Sequence, residues 1–230
     1  MCAALTNLAY KCLAMEDLLK TLKKRPDLKG IVQTLQVQLE DENRLRQEFY
    51  NTIDEGDKAE FINGEVIMHS PVKLEHAQCS SLLLGLLMYY ILRNNLGDVF
   101  VEKIMVELTR NSYEPDIIFF NSEKSKAFKP GQMLFPAPDF VVEILSPSTE
   151  KNDRGIKMED YALHKVTEYW LVDPAKKTIE QYLLHHDKYQ LEFKGKNGII
   201  TSKAVKGFAI NAKAVFYKAE NIKALRELMP

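Results

Sequence analysis

Cysteine is scarce and scattered. Cys2, Cys12 and Cys79 are the only three in the chain, and no two are spaced as Cys-x-x-Cys. That argues against a disulfide framework and a thiolate zinc site, and for a reducing compartment. An excess of charge of one sign is also missing. With 31 basic and 32 acidic side chains the net charge is −1. The molecule as a whole is therefore no electrostatic magnet for nucleic acid or anionic lipid, and a phosphate-binding surface has to be a local patch. Nor is there a long hydrophobic run. The most apolar window, LLLGLLMYYIL from Leu82 to Leu92, has 11 residues, against the roughly 20 needed to cross a bilayer. The N-terminus has no basic stretch followed by a long apolar one, so a signal peptide is not expected. These absences together lead us to expect a cytoplasmic protein with no membrane partner.

What is present is ordinary for a globular chain: 230 residues, 46% hydrophobic and 27% charged. That length suits one large domain, or one domain with an appendage. Residues 1–52 read as an N-terminal helical extension. Leu18, Leu19 and Leu22 sit at helical spacing, Pro26 interrupts, and Leu28, Ile31, Val32, Leu35 and Leu39 form a second stripe. The expectation is a helical cap or an oligomerisation arm, and a homodimer. Residues 53–230 change character. EFINGEVIMHS reads as a hairpin around Asn63-Gly64. A helix is expected from Leu74 to Arg93, then a strand through DVFVEKIMVEL, a short strand in PDIIFF, and another in PDFVVEIL. DRGIKMEDYALHK reads as one amphipathic helix before the strand EYWLVDP, and TIEQYLL with KYQLEF as a hairpin. Strand, helix, strand in succession implies a βαβ crossover. The fold class expected is α/β, a mixed β-sheet flanked by helices.

One residue does not belong to this pattern. Glu143 interrupts an apolar run, with Val141 and Val142 before it and Ile144 and Leu145 after. Burying an unpaired carboxylate costs several kcal/mol or forces it to take up a proton. A second acid, Asp116, opens the strand PDIIFF 27 residues earlier. If the two strands are neighbours the carboxylates converge, and they repel unless they share a proton or hold a cation. Oxygen-only ligands suit Mg²⁺ or Mn²⁺. Asp153, Lys157 and Tyr161 follow at four-residue spacing, on one face of a helix. Lys157 could direct its ammonium at the acids, to orient a water or to neutralise an attacked phosphate. A plain buried ion pair between Glu143 and Lys157 is the competing reading. Asp139 follows a proline on the same strand face as Glu143 and competes with Asp116 as first ligand.

The strings AEFINGEVIMHSP, His76 opening a helix, PDIIFF, PDFVVEILSPST, DRGIKMEDYA and VTEYWLVDP resemble the Uma-two family of restriction-endonuclease-like proteins. The resemblance runs from about Lys58 to Phe216 and implies a restriction-endonuclease-like core. It implies a Mg²⁺- or Mn²⁺-dependent DNA endonuclease with Asp116 and Glu143 as metal ligands. The superfamily places a lysine two residues after the second acid, where this chain has Leu145. The resemblance therefore implies that Lys157 has taken over the lysine's role. His76 stands near the place where some relatives carry a glutamate, and Glu60 belongs to a matched segment. Asp153 and Tyr161 complete the candidate set. Leu145 also supports a second expectation, a catalytically inactive binding or assembly module that keeps the nuclease fold.

Overall fold

The computed structural model describes residues 15–54 and 56–229; Cys2, Cys12 and the start of the expected helical extension lie outside them. Two compact units divide the chain, Met1–Thr52 and Ile53–Pro230. In the first, helix α1 covers residues 15–23 and α2 covers Leu28–Thr52. Pro26 stands in the break between them, having no N–H to continue a helix. Along α2, Arg44 lies 2.8 Å from Glu48, one turn on.

The second unit opens with the hairpin β1 (Ala59–Ile62) and β2 (Glu65–Met68). Its turn residues Asn63 and Gly64 take φ of 52° and 88°, the left-handed geometry that a two-residue hairpin turn demands. Helix α3 runs over Leu74–Arg93, as the sequence implied. The single strand expected next is two, β3 (Gly97–Val101) and β4 (Met105–Glu107), in different sheets. Glu102 and Lys103 adopt φ of 39° and 51° between them, turning the chain while the apolar alternation continues on both sides. Then come β5 (Ser112–Tyr113), β6 (Ile117–Asn121), α4 (Ser122–Ser125), β7 (Leu134–Phe135) and β8 (Phe140–Ile144). The expected amphipathic helix is also two pieces, α5 (Glu150–Arg154) and α6 (Ile156–Leu163), parted at Gly155. Strands β9 (Glu168–Asp173), β10 (Thr178–His185), β11 (Lys188–Gly195), β12 (Ile199–Thr201) and β13 (Ala209–Asn211) follow, and α7 (Lys218–Leu228) ends the chain.

The architecture is mixed α/β. The main sheet has six strands in the order β11-β10-β9-β8-β6-β3. Only β8 and β9 pair in parallel within it, joined by the crossover through α5 and α6. The β1–β2 hairpin belongs to a second sheet of order β2-β1-β5-β4-β7, and β12 pairs with β13 apart from both. The sequence pattern implied one sheet; the short strands β4, β5 and β7 that build the second carry too few residues to show a period.

Strand β8 sets up everything that follows. All five of its residues are buried, and they alternate between two cores. Phe140, Val142 and Ile144 pack with Leu83, Leu86 and Leu87 of α3. Val141 and Leu145 face the other way, among Tyr161, Tyr169 and Leu171. Glu143 lies between them on this second face, beneath α6.

Candidate active site

Ile117 pairs with Val142 across the antiparallel β6–β8 ladder. The next step outward sets Asp116 against Glu143. Ile117 and Val142 share the α3 core, so by alternation Asp116 and Glu143 share the opposite face. The tie between the strands continues past the ladder, since the Ile144 N–H donates to Asp116 Oδ2 at 2.8 Å. Both acids line one cleft of about 580 Å3, together with Lys58, His76, Asp153 and Lys157.

Each acid has its own partners. Asp116 Oδ2 also accepts from His76 Nε2 at 3.1 Å, and Oδ1 accepts from the Lys58 ammonium at 3.2 Å. Burial works against its charge, but His76, Lys58 and the Ile144 N–H outweigh burial and hold its pKa at about 2. Glu143 Oε1 accepts from Lys157 at 3.1 Å and from the Tyr161 hydroxyl at 3.4 Å. Its proton affinity is nonetheless pushed well above the usual carboxylate range. Burial is the main cause; Asp153, Asp116 and Glu60 add to it, and Lys157 only partly opposes it.

Lys157 is the hub. Its ammonium lies 2.7 Å from Glu60 Oε1, 3.1 Å from Glu143 Oε1 and 3.2 Å from Asp153 Oδ1. Only 2% of the residue is exposed. Burial alone would lower its pKa, but Glu143, Glu60 and Asp153 raise it well above normal, so it stays cationic. Glu60 is a core member of the cluster. Its Oε2 lies 3.2 Å from His69 Nε2, and its Oε1 also accepts the Glu114 N–H at 3.1 Å. Burial opposes its charge, yet Lys157 and His69 hold its pKa below normal. Asp153 is shifted up by burial.

The break at Gly155 leaves Asp153 and Lys157 on separate helices, and the two still meet. Gly155 has φ −113° and ψ −106°, outside helical geometry, and a Cβ there would stand 2.8 Å from the Lys151 carbonyl oxygen. The cluster thus gathers Glu60 from β1, Asp116 from the entry to β6, Glu143 from β8, Asp153 from α5, and Lys157 and Tyr161 from α6, with His76 from α3. Asp139 stays away from it. Its carboxylate takes the Asn121 N–H at 2.8 Å and the Lys124 ammonium at 2.9 Å, fixing the loop after β6.

A sequence profile of Uma2, described as "Putative restriction endonuclease", matches residues 45–213. This chain belongs to the Uma2 family. The match spans every residue of the cluster. Among solved structures, "a putative nuclease belonging to DUF820 from Anabaena variabilis ATCC 29413" superposes with a TM-score of 0.64 at 20% identity. The alignment covers 74% of this chain and 96% of that one, and at such identity it speaks to the fold alone. No curated protein matches.

The donor set of the Uma2 chain bears on which ion it could hold. Four carboxylates, Glu60, Asp116, Glu143 and Asp153, face two ammoniums, Lys58 and Lys157. His69 and His76 stand against Glu60 and Asp116 as well. Among the described residues Glu143 has only the shared Lys157 ammonium and the Tyr161 hydroxyl, and burial raises its pKa, so it is the acid that calls for a proton or a cation. Among the described residues no three His, Cys, Asp or Glu side chains form a ready metal cage. Asp116 and Glu143 provide two carboxylates, which fits Mg²⁺, an ion usually held by one or two carboxylates, with waters and substrate phosphates completing the shell. Zinc and other ions that want three or four protein ligands fit less well.

Lys58 and His69 escaped the sequence reading. Lys58 precedes Glu60 by an even step along a strand, which places both on one face. That spacing was the available signal, but as a lone lysine before a hairpin Lys58 reads as solvated. No helix among the described residues is long and apolar enough to cross a membrane.

Proposed function

We propose that this Uma2 protein is a Mg²⁺- or Mn²⁺-dependent DNA endonuclease that hydrolyses phosphodiester bonds. The observation that carries the proposal is that Asp116 and Glu143 lie across from each other on one face of neighbouring strands, in one cleft. Asp116 and Glu143 would hold the ion. When bound, a divalent ion supplies Lewis-acid stabilisation of the charge that builds on an attacked phosphate.

The chain's own residues do the rest. Lys157 stays protonated, so it serves as a fixed positive charge and hydrogen-bond donor beside the reacting phosphate and not as a proton acceptor. Glu60 and Asp153 hold that ammonium against Glu143, so its position is set before substrate arrives. Tyr161 steadies Glu143 from the same helix, and His76 steadies Asp116. A cytoplasmic setting is part of this reading, on the ground of the three scattered cysteines. A homodimer belongs to the same reading, supported by exposed Leu18, Leu19, Leu35 and Leu39 in the first unit.

The test is Mg²⁺-dependent cleavage of a mixed duplex library by the wild type and by Asp116→Ala and Glu143→Ala. Cleavage is expected only from the wild type. Equal cleavage by the variants, or none by the wild type under Mg²⁺ or Mn²⁺, rejects the proposal. A second reading, a non-catalytic module on the same fold, draws on the confinement of Lys157 among three buried carboxylates. It expects no Mn²⁺ binding that depends on Glu143 in calorimetry.

A further inference from the structure

Asp116 is held by His76, the Ile144 N–H and the ammonium of Lys58. Lys58 reaches Asp116 Oδ1 at 3.2 Å from the residue just before β1. Its main chain is fixed there, because its carbonyl accepts the His69 N–H at 2.8 Å. Its ammonium also feels Glu102 and Glu143, as well as Asp116. Both lysines line the cleft, but the Lys58 side chain is 16% exposed and that of Lys157 only 3%. Two ammoniums therefore serve the cluster in different ways. Lys157 is walled in by three carboxylates; Lys58 has one carboxylate contact and an open route into the cleft.

We propose that Lys58 is a counter-ion latch: its ammonium neutralises Asp116 while the metal is absent, is displaced when a divalent cation binds, and then contacts a phosphate of the nucleic acid in the same cleft. This rests on the reading of Asp116 and Glu143 as metal ligands. The physical reason is competition for one oxygen. An ammonium and a divalent ion held by the same carboxylate would repel each other, and around a buried acid such as Asp116 that repulsion is little screened. The four-carbon stem of lysine lets the head swing without moving the backbone. The released ammonium stays in the cleft, which Lys73 also lines, and a phosphate oxygen that enters there gives both cations a partner.

Lys58 should therefore have effects of opposite sign on the two ligands, which a merely structural role would not produce. Calorimetry with Mn²⁺ alone, without DNA, compares wild type with Lys58→Met, and with Lys58→Gln in case the first folds poorly; melting curves confirm folding. At least fivefold tighter Mn²⁺ binding is expected from the variants. A short duplex is then titrated in Ca²⁺, an oxygen-seeking ion used here to avoid turnover, and the variants are expected to bind it at least fivefold more weakly. Folded variants that bind Mn²⁺ no more tightly than wild type overturn the latch while the metal site stands. Tighter Mn²⁺ binding with unchanged duplex affinity overturns the phosphate contact and with it the proposal as stated. If the wild type itself binds no Mn²⁺, the metal reading of Asp116 and Glu143 fails, and the latch falls with it.

Discussion

Asp116 accepts the main-chain N–H of Ile144 at 2.8 Å, so the first acid of the site is bonded to the residue that follows the second. This contact ties the Asp116 carboxylate to the β8 main chain beside Glu143. It also makes Asp116 a structural acid as well as a candidate ligand, and its loss should be visible in stability as well as in cleavage.

The pH dependence of that contribution has a definite sign. The folded pKa of Asp116 is about 2, below its ordinary 3.8. The stabilisation is therefore fully present above pH 3.8 and is lost as pH falls toward 2. It amounts to roughly 2 kcal/mol. Urea unfolding in EDTA should show wild type more stable than Asp116→Asn at pH 5, with the gap narrowing as pH drops. A gap independent of pH would mean that Asp116 is not held ionised by its neighbours.

Glu143 should behave in the opposite sense. Its folded pKa is raised, so its favourable form is the protonated one, and stability falls as pH rises above the ordinary value of 4.5. Glu143→Gln imitates the protonated acid. In EDTA at pH 7.5 we expect it to melt above the wild type, by about 2–4 °C for each kcal/mol relieved. Mg²⁺ should raise the wild-type melting temperature by mass action and leave the variant where it is. A variant that melts lower in EDTA would show that the Glu143 charge is already well compensated.

Removing Lys157 strands three buried carboxylates. Lys157→Met should cost about 3–5 kcal/mol, the usual penalty for breaking a buried pair on one side only. Adding Glu60→Gln to it should recover part of the loss, because one stranded charge disappears. Urea unfolding of both variants checks this, and a single-variant cost under about 1 kcal/mol would mean that other groups neutralise the acids.

Gly155→Ala probes the joint between the two short helices. Its Cβ would lie 2.8 Å from the Lys151 carbonyl oxygen, so the joint must open. We expect a loss of about 1–3 kcal/mol in stability and a fall in cleavage of up to about 10²-fold, from displacement of Lys157 relative to Asp153. Unchanged cleavage would show that the joint tolerates movement without disturbing the cluster.

How much of this was readable in the residues differs from element to element. The β1–β2 hairpin was legible, because Asn63-Gly64 states its turn type in two letters. Helix α3 was legible as a long segment whose second half, from Leu82 to Leu92, is apolar on nearly all sides, and β8 from its density of β-branched residues. Glu143 stood out because an acid in such a strand is costly. The break in DVFVEKIMVEL was not legible. Glu102 and Lys103 are ordinary residues in an unusual backbone conformation, and tertiary pairing in two sheets selects it. The break at Gly155 was hidden by the reverse effect, an i to i+4 spacing that looks helical and survives the interruption. Lys58 was passed over because an isolated lysine carries no period.

By itself the sequence determined which residues can be buried, where the chain turns, and that one acid opens an apolar strand while another interrupts one, since periodicity and residue chemistry are local. Only the tertiary structure decided that β6 and β8 are neighbours in the register that faces Asp116 toward Glu143. It alone decided that Lys157 is shared by Glu60, Glu143 and Asp153, and that Lys58 closes on Asp116. Those facts depend on strand order and on which sheet face α6 covers, and both are set by the packing of residues far apart in the chain.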